Sequence, residues 1–136
     1  MSGYLLDTNI VSAMLRDPRG PVTRRIAEVG AGEIGVSIIT AAELRFGCAK
    51  KESARLTAAV DAVLGRIPVL GLNEPWDTDY ARIRLALERA GTPIGPNDLL
   101  LAAHALCLDS TMVTGNEQEF ARVPGLRVEN WLQNER

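Results

Sequence analysis

Short apolar runs alternate with stretches of helical spacing along the whole chain. "YLL" ends at Asp7 and gives way to "TNIVSAML"; "EIGVSIIT" precedes "AAELRFGCAKK"; "PVLGL" precedes "EPWDTDYARIRLALERAG"; "STMVTG" precedes "NEQEFARV"; and "LRVEN" comes last, before the Trp131 tail. The runs are too short for helices and rich in Val, Ile and Leu, whereas the intervening segments repeat their apolar residues every three to four positions. Strands separated by helices pair in parallel through crossovers rather than as hairpins. The expectation is an α/β fold with a parallel β-sheet of four to five strands, flanked by helices on both faces. Two further helices are expected, over "ARLTAAVDAVLGRI" and from "PIGPNDLLLAAHAL", and Gly91 is placed to stop the helix before the latter. With 136 residues, 46% of them hydrophobic, the chain can bury one core, so residues 1–136 are read as a single domain.

Several function classes are excluded by what the chain lacks. No basic leader precedes an apolar core at the N-terminus and no apolar run reaches the roughly 20 residues needed to span a bilayer, so a cytoplasmic location is expected. Cys48 and Cys107 stand alone in apolar helical contexts, as reduced, buried thiols rather than a disulfide or zinc pair. A net charge of −2 gives no general basic surface for nucleic acid. Arg16, Arg19, Arg24 and Arg25, and then Arg45, Lys50, Lys51 and Arg55, form local groups that solvated faces explain. There is no GxSxG elbow, Walker A loop or GxGxxG turn, and the single histidine, His104, cannot build a zinc cluster. Receiver domains and haloacid-dehalogenase-like phosphatases need a late lysine, yet the only lysines are Lys50 and Lys51; the phosphatases also need Asp-x-Asp where this chain has "DTN".

Three carboxylates remain. Singly, each has a structural explanation: Asp7 as a helix N-cap, Glu43 as the partner of Thr40 in a capping box, and Asp98 as a negative charge in a first helical turn. Alternating strands and helices, however, bring distant element ends to one edge of a sheet, where the three acids would converge. Like charges held together raise one another's pKa unless a cation neutralises them. Mg²⁺ or Mn²⁺, hard ions that take oxygen ligands and keep water in their shell, suit such a set.

Five blocks in order, "YLLDTNIVS", "ITAAELRFG", "PIGPNDLLLAAHAL", "VTGNEQEF" and "VPGLRVENW", span nearly the whole chain. In them the sequence resembles PIN-domain ribonucleases, and more closely the VapC toxins of type II toxin-antitoxin pairs. The resemblance implies that Asp7, Glu43 and Asp98 bind the metal, and that the family's fourth catalytic position falls on Asn116. An amide carries no charge there, so Glu117 or Glu119 is a candidate to contribute instead, with Asn9 and Thr114 orienting ligands or water. It further implies Mg²⁺- or Mn²⁺-dependent hydrolysis of phosphodiesters in structured RNA; the "PIGPND" subgroup resembles toxins that cut the anticodon loop of initiator tRNA. The partners implied are a second copy in a homodimer and a VapB-like antitoxin whose C-terminal segment crosses the active-site groove, with Leu56 to Ile67 as a candidate contact unless that face packs on the sheet. The competing reading is a PIN-like RNA- or protein-binding module with little catalytic activity.

Overall fold

In the computed structural model, which describes residues 3–132, five strands join one sheet in the order β3-β2-β1-β4-β5. They are β1 (Tyr4–Leu6), β2 (Ile34–Ser37), β3 (Val69–Leu70), β4 (Thr111–Val113) and β5 (Val128–Glu129), and every pairing is parallel. Between them run α1 (Thr8–Arg16), α2 (Pro21–Val29), α3 (Ile38–Lys51), α4 (Ala54–Arg66), α5 (Trp76–Ala90), α6 (Pro96–Leu108) and α7 (Glu117–Phe120). Successive strand residues point to opposite faces. Leu5 and Met112 therefore enter a core with Ile83, Leu101 and Phe120 from α5, α6 and α7. Leu6 and Val113 enter a second core with Ile10, Val22, Leu44 and Val60 from α1 to α4. The two-faced sandwich expected from the alternation is the one that forms.

The winding direction creates the site. From β1 the chain builds outward through β2 to β3, then returns to lay β4 against the other edge of β1. Connections diverge at such a reversal and leave a crevice beyond the carboxyl ends of the strands. Asp7 directly follows β1 and Thr114 directly follows β4, so both stand at its mouth.

Three local expectations are corrected. The strand in "EIGVSIIT" ends at Ser37, and α3 begins at the next residue with no loop. Ser37 is the N-cap, its Oγ accepting from the Ile39 N–H at 3.1 Å. Thr40 is consequently buried inside the helix, so Thr40 and Glu43 form no capping box. β-Branched Ile38, Ile39 and Thr40 are weak helix formers, but the packing of α3 outweighs that small preference. Second, α2 and a 3-10 turn at Ala31–Glu33 occupy a stretch to which sequence patterning assigns no element. Pro21 and Gly30 are a helix start and stop, masked by the loop-like "DPRG" and "VGAG" on either side. Third, Cys48 is buried as expected but Cys107 is only half-buried.

Other expectations hold. Gly91 ends α5 in the left-handed conformation, at φ 73°. The apolar face of α4 is mostly core: Val60 is buried, and Leu56, Val63, Leu64 and Ile67 pack on the second core. Trp131 is buried, tilted against Tyr4 at 5.1 Å between ring centroids and covered by the Arg25 guanidinium at 5.3 Å. Among the described residues, no helix is long and apolar enough to cross a membrane.

Candidate active site

Each acid reaches the crevice by a different local route. Asp7 leaves β1 in an extended conformation as the N-cap of α1, and its Oδ1 accepts from the Thr8 N–H at 2.7 Å. Its Oδ2 accepts from the Thr114 hydroxyl at 2.8 Å, across the β1–β4 reversal. Asp7 is thus a cap, as its position suggested, but a cap with its second oxygen held by a distant strand. Burial raises its pKa above the ordinary value, the two hydrogen bonds pull it back, and the charges of Glu43 and Glu119 push it up further.

Glu43 projects from α3 and is held by two donors. The Thr8 hydroxyl donates to Oε1, and the Asn97 amide donates to Oε2 at 2.8 Å. Asn97 was not singled out from sequence. Its signal was available in "PND", where it stands beside Asp98 at the second position of the helix, yet an exposed Asn in a first helical turn usually reads as punctuation.

Asp98 occupies the first turn of α6, after Pro96 and with Gly95 as the N-cap. Its carboxyl is pushed up to about 8, first by burial and then by hydrogen bonding and repulsion from Glu119, with Asp7 and Glu43 adding to the repulsion. A hydrogen bond between two carboxyl groups requires that one of them keep its proton. Both carboxyls border Gly95, where a Cβ would lie 3.7 Å from Asp98 Oδ2 and 3.8 Å from Glu119 Oε1.

The segment after β4 separates the remaining candidates. The Asn116 N–H donates to Thr114 Oγ1 at 2.9 Å, and its side-chain amide reaches Asp98 Oδ2 at 3.5 Å. Glu117 is exposed and turned away, accepting from Asn130 at 3.1 Å. Glu119 points inward, and its Oε1 is buried without a hydrogen-bond partner. Asn9 accepts from the Gly115 N–H at 3.2 Å and so braces the loop. Leu132 packs over Gly115, where a Cβ would meet its Cδ1 at 2.6 Å and push that side chain aside.

The structure therefore gathers Asp7, Glu43, Asp98 and Glu119, with Asn116 at their edge, and leaves Glu117 outside. Among the described residues, no three Asp, Glu, His or Cys side chains already close around one point. The acids instead line one crevice, Asp7 and Glu43 each held by its own donors and Asp98 set against Glu119, all of them mutually repelling. His104 and Ser37 lie outside this set and are buried.

Comparison with known proteins places the fold in a family. The PIN domain family model matches residues 4–126. Ribonuclease VapC2 of Rickettsia felis is 36% identical over 130 residues, covering 94% of this chain and 97% of that protein. The tRNA(fMet)-specific endonuclease VapC of Shigella flexneri is 35% identical over 132 residues, covering 96% and 99%. Among solved structures, VapBC2 from Rickettsia felis bound to a promoter DNA fragment superposes with a TM-score of 0.88 at 34% identity, over 96% of this chain and 99% of that one. DNA-bound VapBC from Salmonella typhimurium gives 0.87 at 32% identity, over 96% and 99%. The chain belongs to the PIN-domain family and, within it, to the VapC ribonucleases.

Proposed function

We propose that this chain is the toxin of a type II toxin-antitoxin pair, a Mg²⁺- or Mn²⁺-dependent endoribonuclease acting in the cytoplasm on structured RNA, with the anticodon loop of initiator tRNA as its target. The observation that carries the reading is the meeting of Asp98 and Glu119, with Asp7 and Glu43 close by, in a crevice where four negative charges are unstable without a cation. The tRNA target rests on the similarity to the Shigella enzyme.

The donor set fits a hard divalent ion. Carboxylate oxygens dominate, one carboxyl is held high, and one buried carboxylate oxygen lacks a partner. Asp7, Glu43 and Asp98 would hold the ion, with Glu119 the fourth acid in place of the uncharged Asn116. When bound, the ion supplies Lewis-acid stabilisation of phosphate charge and lowers the pKa of water. The chain's own residues prepare that chemistry. Thr114 and the Thr8 N–H keep Asp7 oriented and offset part of the penalty that burial places on its charge. Thr8 and Asn97 hold Glu43 toward the crevice, and Asn116 turns its amide toward Asp98.

For the antitoxin, we assign the groove of about 460 Å³ between α1, α3 and α4, which opens onto Thr8 and Glu43. Leu15, Leu44 and Leu56 supply an apolar floor, and Arg16, Lys51 and Arg55 a basic rim. A helical segment with an apolar stripe and acidic flanks suits it. A second copy would cover Phe46, 67% exposed on α3, and Leu85, 46% exposed on α5.

Purified protein, free of antitoxin, is incubated with total tRNA in Mg²⁺, Mn²⁺ or EDTA, beside Asp98→Asn. Discrete fragments that require both metal and Asp98 are expected, and their ends identify the target. RNA binding without cleavage, in a preparation that takes up Mn²⁺, would show a binding module instead.

A further inference from the structure

The chain's one histidine plays no part in the crevice, yet it is 1% exposed and hydrogen-bonded. His104 Nδ1 lies 2.8 Å from Ser37 Oγ, and Ser37 is fully buried. Ser37 Oγ already accepts from the Ile39 N–H, so its own proton is available for Nδ1. The other ring nitrogen, Nε2, is buried with no well-formed hydrogen bond, so the Ser37 hydroxyl is the one close polar partner of the ring among the described residues. Burial lowers the pKa and keeps the ring neutral. A leucine would fill the same space without burying polar atoms, so the pair has a desolvation cost that packing alone does not explain.

Its position gives the reason. Ser37 caps α3, which carries Glu43, and His104 lies on α6, which carries Asp98. The same two helices are joined a second time by Asn97 and Glu43. Ser37 to Glu43 is six residues along α3, and Asn97 to His104 is seven along α6, so the links sit roughly 9 and 10.5 Å apart on the two helices. Asn97 and His104, two turns apart, share one face of α6. Apolar packing already seats α3 on the sheet, and the two polar links fix where its first turns lie against α6.

We propose that Ser37 and His104 form the buried half of a two-point clasp that sets Glu43 against Asp98, making both of them positioning residues for the metal site. The outer link, through the exposed Asn97, competes with water and is the weaker. The inner link is sheltered and sets the geometry. The clasp rests on the reading of Glu43 and Asp98 as metal ligands.

The test uses Mn²⁺ alone as the probe. Calorimetric Mn²⁺ titration, thermal melting and RNA-cleavage kinetics are compared for the parent, His104→Leu, His104→Asn and Ser37→Ala. His104→Leu is expected to stay folded, lose about tenfold in Mn²⁺ affinity, and lower kcat with the KM for RNA unchanged. His104→Asn, whose amide can take the place of Nδ1, is expected to recover most of the affinity. Parent-like Mn²⁺ affinity in folded His104→Leu overturns the proposal. Where that variant does not fold, Ser37→Ala cuts the same link from the other side, and unchanged affinity there overturns it equally. A parent that binds Mn²⁺ but cleaves no RNA overturns the ribonuclease reading alone, because the titration still reports the clasp; a parent that binds no Mn²⁺ overturns both.

Discussion

Thr114 donates its hydroxyl hydrogen bond to Asp7 Oδ2 at 2.8 Å, joining residues 107 apart in sequence across the reversal of the sheet. Both side chains are buried, so water cannot substitute for the bond. Thr114→Val keeps the shape and removes the donor, leaving Asp7 with less to offset its burial. Mn²⁺ affinity and cleavage are expected to fall about 10- to 100-fold, while Thr114→Ser stays within a few-fold of the parent. Paired Mn²⁺ titration and single-turnover cleavage measure this, and a Thr114→Val protein with parent affinity contradicts it.

The raised carboxyl of Asp98 makes stability depend on pH in a defined direction. Its folded-state pKa is about 8 against the ordinary 3.8, so the folded, metal-free protein holds a proton that the unfolded chain gives up more readily. That proton favours folding below the unfolded value, and the benefit is lost as pH rises toward 8. The metal-free melting temperature should therefore fall between pH 4 and 8, beyond any trend shared with Asp98→Asn. Added Mn²⁺ should flatten the fall in the parent and do little in Asp98→Asn, which is also expected to lose more than about 100-fold in cleavage. Identical pH profiles for the two metal-free proteins would count against this origin.

Glu117 and Glu119 provide an internal control two residues apart. Glu119→Gln removes the main neighbour raising Asp98, so it should restore Asp98 toward an ordinary carboxyl, raise metal-free stability at pH 8 and weaken Mn²⁺ binding. Glu117→Gln should change none of these, because that side chain faces Asn130. Equal effects would place the loop after β4 differently from the structure described.

How much of this was legible beforehand differs by element. The alternating pattern carried the sheet and most helices, because strand and helix periods are written locally. The start of α3 was not, since "SIIT" has strand propensity and only its three-dimensional packing makes it helical. Asp7, Glu43 and Asp98 stood out as charges beside apolar runs, and their resemblance to a known family named the fourth position as Asn116. Sequence could not choose between Glu117 and Glu119, because a four-residue helix turns one inward and the other out. Asn97 and the Ser37–His104 pair were hidden for another reason: their partners lie 54 and 67 residues away, and polar residues carry no periodic signal for such pairing.

Trp131 tests the part of the sequence that follows the last strand. Its ring is 2% exposed, its Nε1 donates to Glu129 at 2.8 Å, and Arg25 covers its face. Trp131→Ala should cost roughly 3–5 kcal/mol of stability, while Trp131→Phe retains most of the packing and costs less. Chemical denaturation distinguishes the two; a loss below about 1 kcal/mol for Trp131→Ala would mean that the tail is not part of the core.

The central place of β1 in the sheet also governs when, during synthesis, the crevice can be completed. A ribosome that has emitted the first ninety residues has delivered Asp7 and Glu43 but neither Asp98 nor the strand whose Thr114 orients Asp7. The order β3-β2-β1-β4-β5 leaves one edge of β1 bare until β4 arrives. The crevice therefore gains its third acid, and Asp7 its second hydrogen bond, only as the last third of the chain is made.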